Sequence, residues 1–180
     1  MASDYKAISD QHWQDYGTKI DRWAPRFLAN QYDDRTHFIF ELLQNAEDAL
    51  RKRGNGGSGT VAFALSPDGL RVSHFGKPFE EPNVRAICSI GESTKEEDLT
   101  AIGKFGIGFK SVYSLTIRPE VHSGEENFAI ESFVHPVAIK PIPCAPGETV
   151  FWLPFKEDSG DIADEIREAL KALPAATLLF

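Results

Sequence analysis

The stretch that most constrains this chain is Glu41-Leu-Leu-Gln-Asn45-Ala-Glu-Asp48-Ala49. In an α-helix, at about 100° per residue, Asn45 lies about 40° to one side of Glu41 and Asp48 about 20° to the other. A carboxylate, a carboxamide and a second carboxylate therefore share one narrow strip. Ile39, Leu42, Leu43, Ala46, Ala49 and Leu50 fall on the far side as a broad apolar stripe. Such a helix packs its apolar side on a sheet and shows its polar strip elsewhere. The strip carries no Lys or Arg, so it lacks the i,i+4 ion-pair lacing of a helix that merely faces water. Carboxylate plus carboxamide is an oxygen-donor set suited to Mg²⁺, with one carboxylate left over to act as a base.

A chain of 180 residues with 42% apolar and 11% aromatic side chains is long and apolar enough to bury a core, most simply as one domain. Its net charge of −8 argues against sequence-independent binding to nucleic acid. Cys88 and Cys144 stand alone, without metal-type spacing, and the five histidines offer no i,i+4 pair. The start, Met-Ala-Ser-Asp-Tyr-Lys, is polar, and no apolar run is long enough to span a bilayer. The expected location is the cytoplasm, away from membranes. The last residues, Ala175-Ala-Thr-Leu-Leu-Phe180, form an apolar, strand-like run, which predicts that the chain is the N-terminal part of a longer protein.

The pattern predicts helix from about residue 8 to 30, broken at Pro25, with Trp13, Tyr16, Ile20, Trp23 and Phe27 as one stripe that faces the core or forms a flap over the next element. Asp33, Asp34 or Thr36 is the expected cap of the central helix, and Arg51-Lys-Arg53 suits its C-terminal dipole. Thr60–Leu65 and Gly69–His74 read as a hairpin around Ser66-Pro-Asp-Gly69. Pro82–Cys88 reads as a short helix, followed by a polar stretch from Gly91 to Asp98. Gly103-Lys-Phe-Gly-Ile-Gly108-Phe-Lys-Ser111 then runs toward Val112 and Leu115 and is expected to open a helix. Strands follow at Thr116–Arg118, Phe128–Val134 and Thr149–Leu153, and Asp161–Leu173 is amphipathic. The order describes an α+β sandwich, helices on one face of a largely antiparallel sheet.

The glycine cluster misses the P-loop pattern, because Phe109 separates Gly108 from Lys110, and no βαβ unit surrounds it as a dinucleotide fingerprint requires. Its physics remains: glycines leading into a helix let backbone N–H groups approach an anion.

Together these stretches resemble the GHKL (Bergerat-fold) ATPases, which include DNA gyrase, heat-shock chaperones, histidine kinases, MutL and MORC proteins. Glu41, Asn45, Asp48 and Ala49 meet that family's Glu-x-x-x-Asn-x-x-Asp-Ala motif without a gap. Gly103, Gly106 and Gly108 look like its lid glycines, and Phe105-Gly-Ile-Gly-Phe-Lys110 is close to the MORC and sacsin versions. Ser93-Thr94-Lys95 is similar to the start of the MutL lid, and Gly147-Glu148-Thr149 to the motif whose threonine sits near adenine. The sacsin-like subgroup is the nearest in flavour, over roughly Tyr32 to Leu153.

The resemblance implies a two-layer Bergerat-type sandwich over residues 1–180, with an N-terminal helical segment at 1–31 and a glycine-rich ATP lid at 80–108. It implies ATP and Mg²⁺ as ligands. Glu41 would be the general base, Asn45 the Mg²⁺ ligand, and Asp48 and Ala49 the nucleotide side of the pocket. Ser93, Thr94, Lys95, Gly103, Lys104, Phe105, Gly106, Ile107, Gly108, Phe109 and Lys110 would surround the phosphates, with Lys104 or Lys110 available to neutralise their charge.

One departure stands out. The family carries Asp-x-Gly where this chain has His74-Phe75-Gly76. Either His74 and Thr149 read adenine less stringently, or base selection is relaxed, or His74 is structural at a strand end. The departure bears on the base and not on the phosphates. The expected function is an Mg²⁺-dependent, ATP-binding, weakly hydrolysing domain whose lid closure drives a larger chaperone-like or defence-type protein. The alternative is a nucleotide-gated interaction module without turnover. Expected partners are the nucleotide, further domains of the parent chain and an ATP-dependent second copy.

Overall fold

The computed structural model describes residues 1–17, 35–54, 59–89, 108–157 and 161–173. Its helices are α1 (Tyr5–Tyr16), α2 (Phe38–Lys52), α3 (Glu81–Cys88) and α4 (Ile162–Ala172), and its strands β1 (Val61–Ser66), β2 (Gly69–His74), β3 (Glu120–Ser123), β4 (Glu126–Glu131), β5 (His135–Ala138) and β6 (Thr149–Pro154). The strands form one six-stranded sheet in the order β1-β2-β6-β3-β4-β5, and every adjacent pair is antiparallel.

The register puts Leu70 opposite Leu153, Val72 opposite Phe151, and Val121 opposite both Phe151 and Phe128. Directly paired residues share a face, so these side chains form one apolar surface. They pack in a single cluster with Phe38, Ile39 and Leu42 of α2 and with Ile162 and Ile166 of α4. On the other face Ala62 and Ala64 are exposed, Arg71 pairs with Glu148 at 3.0 Å, and Arg118 reaches Glu120 and Glu131. The architecture is the α+β two-layer sandwich that the pattern of elements predicts, with helices packed on one side of the sheet.

Helix α2 buries Phe38, Ile39, Leu42, Ala46 and Leu50. These positions recur at three and four, which explains why a strip with acids and an amide on its outer side still docks firmly. Among the described residues no side chain caps α2. Its N-cap is His37, and the Ile39 N–H donates to the Thr36 carbonyl, so the expected Thr36 side-chain cap is not formed. Helix α1 also departs from expectation. It buries Tyr5, Ile8 and His12, whereas Trp13 is half-exposed and stacks on His135 at 4.5 Å. Tyr5 Oη donates to Glu126 at 2.6 Å, and the His12 ring bonds the Val134 carbonyl, so polar contacts place α1 against β4 and β5. Ile20, Trp23, Phe27, Asp33, Asp34 and the final Ala175–Phe180 run lie outside the described residues.

Three elements differ from the pattern reading. Thr116–Arg118 is not a strand: the Thr116 N–H bonds back to Val112, and Arg118 precedes Pro119, which steers it into the turn that leads to β3. The expected Phe128–Val134 strand stops at Glu131, where Ser132 and Phe133 take φ of 43° and 69° and reverse the chain. The chain then returns as β5, whose Pro136 is tolerated because β5 is the edge strand. Finally, Gly108–Ser114 is a 3₁₀ segment and not the start of an α-helix.

Candidate functional site

A cleft partly open to solvent lies between α2, the β2–α3 connection, α3 and the sheet. Asn45 and Ala49 of α2 form one wall, His74 and Phe151 the floor, and Phe79, Ile87 and Phe109 much of the apolar remainder. The three phenylalanines touch edge to face or tilted, with Phe79–Phe151 at 6.0 Å and Phe109–Phe151 at 5.7 Å. Such a pocket offers a flat heterocycle an apolar slot with a few fixed polar groups.

The seam between α2 and the β2–α3 connection is unusually close. A Cβ on Gly76 would lie 2.5 Å from Ala49 Cβ and 2.6 Å from the Ala49 backbone carbon, so neither position tolerates a larger residue without movement. The Lys77 N–H donates to the Ala49 carbonyl at 2.8 Å, closing the seam. The Gly76 N–H donates to His74 Nδ1 at 3.1 Å. The His74 ring is 1% exposed, and burial pushes its pKa down to about 4.

One turn before Asn45, the Glu41 carboxylate accepts from His37 Nε2 at 3.1 Å and abuts Gly108, where any Cβ would overlap Glu41 Oε2. The first described residue of the glycine cluster is thus in contact with the carboxylate expected to act as a base. Asn45 lines the cleft, and among the described residues its carboxamide makes no hydrogen bond. A carboxamide oxygen facing a cleft, one helical turn from a carboxylate, fits a hard divalent cation as part of an oxygen set that phosphate and water would complete. Asp48 is half-buried and does not line the cleft.

Two expected positions fall elsewhere. Lys110 does not reach the cleft: it is 1% exposed, and its ammonium donates to the carbonyls of Ile87 at 2.7 Å and Phe133 at 2.5 Å. Burial pushes its pKa down to about 8. Its expected role beside phosphate is therefore corrected to that of an internal strut. Thr149 pairs with His74 across β2 and β6 but is fully buried, its hydroxyl 2.5 Å from Ser123 Oγ, and it does not line the cleft. Ser93, Thr94, Lys95, Gly103, Lys104, Phe105, Gly106 and Ile107 lie outside the described residues.

The structure adds groups that the pattern reading passed over. Lys52 and Lys77 line the cleft, the latter paired with Glu80 at 3.0 Å. His37 stands four residues before Glu41, a spacing that brings both side chains to one helix face. The alternation of Val150, Phe151 and Trp152 on β6 signals that Phe151 faces the helices, though not that it floors a cleft.

The Sacsin domain family matches residues 72–133, an interval that runs from β2 through His74, Gly76 and Gly108 into the turn after β4. Protein NO VEIN of Arabidopsis thaliana is 40% identical over 100 residues, covering 56% of this chain and 4% of that protein. Human Sacsin is 30% identical over 120 residues, covering 57% of this chain and 2% of Sacsin. Chaperone protein HtpG of Sulfurovum sp. (strain NBC37-1) is 27% identical over 182 residues, covering 84% of this chain and 29% of HtpG. The chain is thus similar to sacsin-type proteins and, at lower identity, to a chaperone, and it spans under a third of each. Among the described residues no helix is long and apolar enough to cross a membrane.

Proposed function

We propose that this chain is a nucleotide-binding domain of the GHKL type. It takes a purine nucleoside triphosphate with Mg²⁺, ATP being the one the resemblance implies, and hydrolyses it slowly. Closure of a lid over residues 80–108 would couple the nucleotide to a larger chaperone-like or defence-type protein, through further domains or a second copy. The observation that carries the reading is convergence: Asn45 and Ala49, His74 and Gly76, and the Gly108 end of the glycine cluster, separated by up to 63 positions in sequence, meet around one cleft and its neighbouring carboxylate. Similarity to Sacsin and to Chaperone protein HtpG supports it.

In this reading Phe79, Phe109 and Phe151 sandwich and exclude water from the base, Asn45 holds the cation, and Glu41, steadied by His37, receives a proton from the attacking water. Bound Mg²⁺ would neutralise phosphate charge. Thermal unfolding tests the site. At a ligand concentration about 100-fold above Kd the fold gains about 2.7 kcal/mol, which for a chain of this size raises Tm by roughly 5–10 °C. The shift is expected with Mg²⁺-triphosphate and lost with EDTA or in Asn45→Ala. No shift with any nucleoside triphosphate at millimolar concentration refutes the reading. Glu41→Ala then separates a hydrolase from a nucleotide-gated module: turnover disappears and binding persists in the first case, and there is no turnover to lose in the second.

A further inference from the structure

His74 ends β2 with its ring on the floor of the cleft, beside Phe151 at 6.2 Å between ring centroids. Its Nδ1 accepts the Gly76 N–H, so that nitrogen keeps its lone pair. A neutral imidazole has one N–H, which must then be on Nε2. A proton on Nδ1 would face the Gly76 N–H, donor against donor. The backbone cannot swing aside to relieve this, because Gly76 is clamped on Ala49 and the next N–H is held by the Ala49 carbonyl. Burial also holds the ring neutral at physiological pH. The polarity of His74 is therefore set by the backbone. In the cleft wall the Asn45 side chain is adaptable: its carboxamide presents donor or acceptor according to how it turns.

We propose that His74 is a specificity-determining residue, a fixed hydrogen-bond donor that selects a purine whose buried edge presents a 6-oxo acceptor, such as hypoxanthine or guanine, over adenine with its 6-amino group. The proposal rests on the nucleotide-binding reading above and names the base of that same site. A carboxylate at this position would accept from an amino group; an imidazole N–H opposes it. In the proposed seating the 6-substituent of the base meets this N–H: an amino group there leaves two donors unpaired, whereas a carbonyl pairs with it, and sites discriminate most strongly where the wrong ligand strands a buried polar group.

The experiment measures, by titration calorimetry with Mg²⁺, the affinities of inosine, guanosine and adenosine triphosphates for the chain, for His74→Asp and for His74→Asn. Inosine triphosphate differs from ATP at the purine 6-position and adds N1–H, and guanosine triphosphate adds the 2-amino group as a control for size. Inosine triphosphate is expected to bind the unaltered chain at least about five-fold tighter than ATP, the discrimination of one neutral hydrogen bond. His74→Asp is expected to reverse the order. A long-range ¹H–¹⁵N spectrum of the histidine rings provides a readout that needs neither variant nor ligand: His74 is expected to carry its proton on Nε2. ATP binding as tightly as inosine triphosphate to the unaltered chain, or a proton on Nδ1, overturns the proposal while leaving nucleotide binding intact. Failure of all three triphosphates to bind overturns both.

Discussion

Acidification from pH 7 to pH 5 is expected to destabilise the fold through His74, and the size of the effect follows from its burial. The ring is 1% exposed, and its pKa in the folded chain is about 4, against 6.5 for an unperturbed imidazole. The folded value is depressed, so above pH 6.5 both states are neutral and the contribution to stability is complete. Between 6.5 and 4 the unfolded chain binds a proton that the folded chain refuses, and stability falls with pH. Below 4 the loss is complete, at about 3 kcal/mol. Over the accessible interval from pH 7 to pH 5 the same linkage gives a loss of about 2 kcal/mol, which is a large part of the stability of an ordinary domain.

The assay is urea unfolding at pH 7, 6 and 5, followed by tryptophan fluorescence, for the unaltered chain and for His74→Asn. Asparagine keeps an oxygen near the place of Nδ1 to accept the Gly76 N–H, yet it cannot titrate. Carboxylates and the other histidines contribute equally to both proteins, so the difference isolates residue 74. The unaltered chain is expected to lose about 2 kcal/mol more than the variant between pH 7 and pH 5. Parallel loss in the two proteins would refute the claim that the ring is held neutral by burial.

The two glycines of the site make opposite predictions for the same substitution. Gly76→Ala drives a methyl into the Ala49 backbone, which cannot yield, and is expected to cost about 1–3 kcal/mol or more in urea unfolding. Gly108→Ala meets only the end of a flexible side chain, so Glu41 swings off His37: stability is expected to change by less than about 1 kcal/mol, while the turnover that the proposed function assigns to Glu41 is expected to collapse. Lys110→Met strands the carbonyls of Ile87 and Phe133 and is expected to cost about 1–3 kcal/mol. Because the folded pKa of Lys110 is about 8 and its unperturbed value 10.5, the unaltered chain should also gain stability relative to that variant as pH rises from 8 to 10.5, where the unfolded chain alone still binds the proton.

The parts of this structure legible in sequence are those set by local periodicity. The buried residues of α2 and α4 recur at three and four, and the β1–β2 hairpin carries a turn whose Gly69 has its Leu153 carbonyl neighbour too close for any side chain. Where a long-range contact decides, the pattern fails. Trp13 belongs to an apolar-looking stripe, yet α1 buries Tyr5, Ile8 and His12 and leaves Trp13 half-exposed on His135, because Glu126 and the Val134 carbonyl offer partners to Tyr5 and His12. The split of Phe128–Val134 into β4 and a turn has the same origin. Nothing in Ser132-Phe133 announces positive φ, and it is the Lys110 ammonium, 23 positions away, that bonds the Phe133 carbonyl there.

Lys110 shows how a motif can be read correctly in place and wrongly in role. A lysine two residues after a glycine cluster invites assignment to phosphate, and charge alone cannot contradict it. The contradiction comes from the segment's geometry. In the 3₁₀ segment Gly108 abuts Glu41, Phe109 turns into the cleft, and Lys110 points inward to the end of α3 and the β4–β5 turn. Three consecutive residues thus serve three purposes: clearance for the carboxylate, an apolar wall, and a strut tying the segment to two elements of the framework. A strut is useful here because Gly108 has no side chain with which to hold its own position, and the fit against Glu41 depends on its staying there. The buried ammonium thereby acts on the site through the backbone, without touching what the site binds. That is why substitution of Lys110 should lower stability and blur the Glu41 geometry together, whereas substitution of Gly108 should disturb the carboxylate alone.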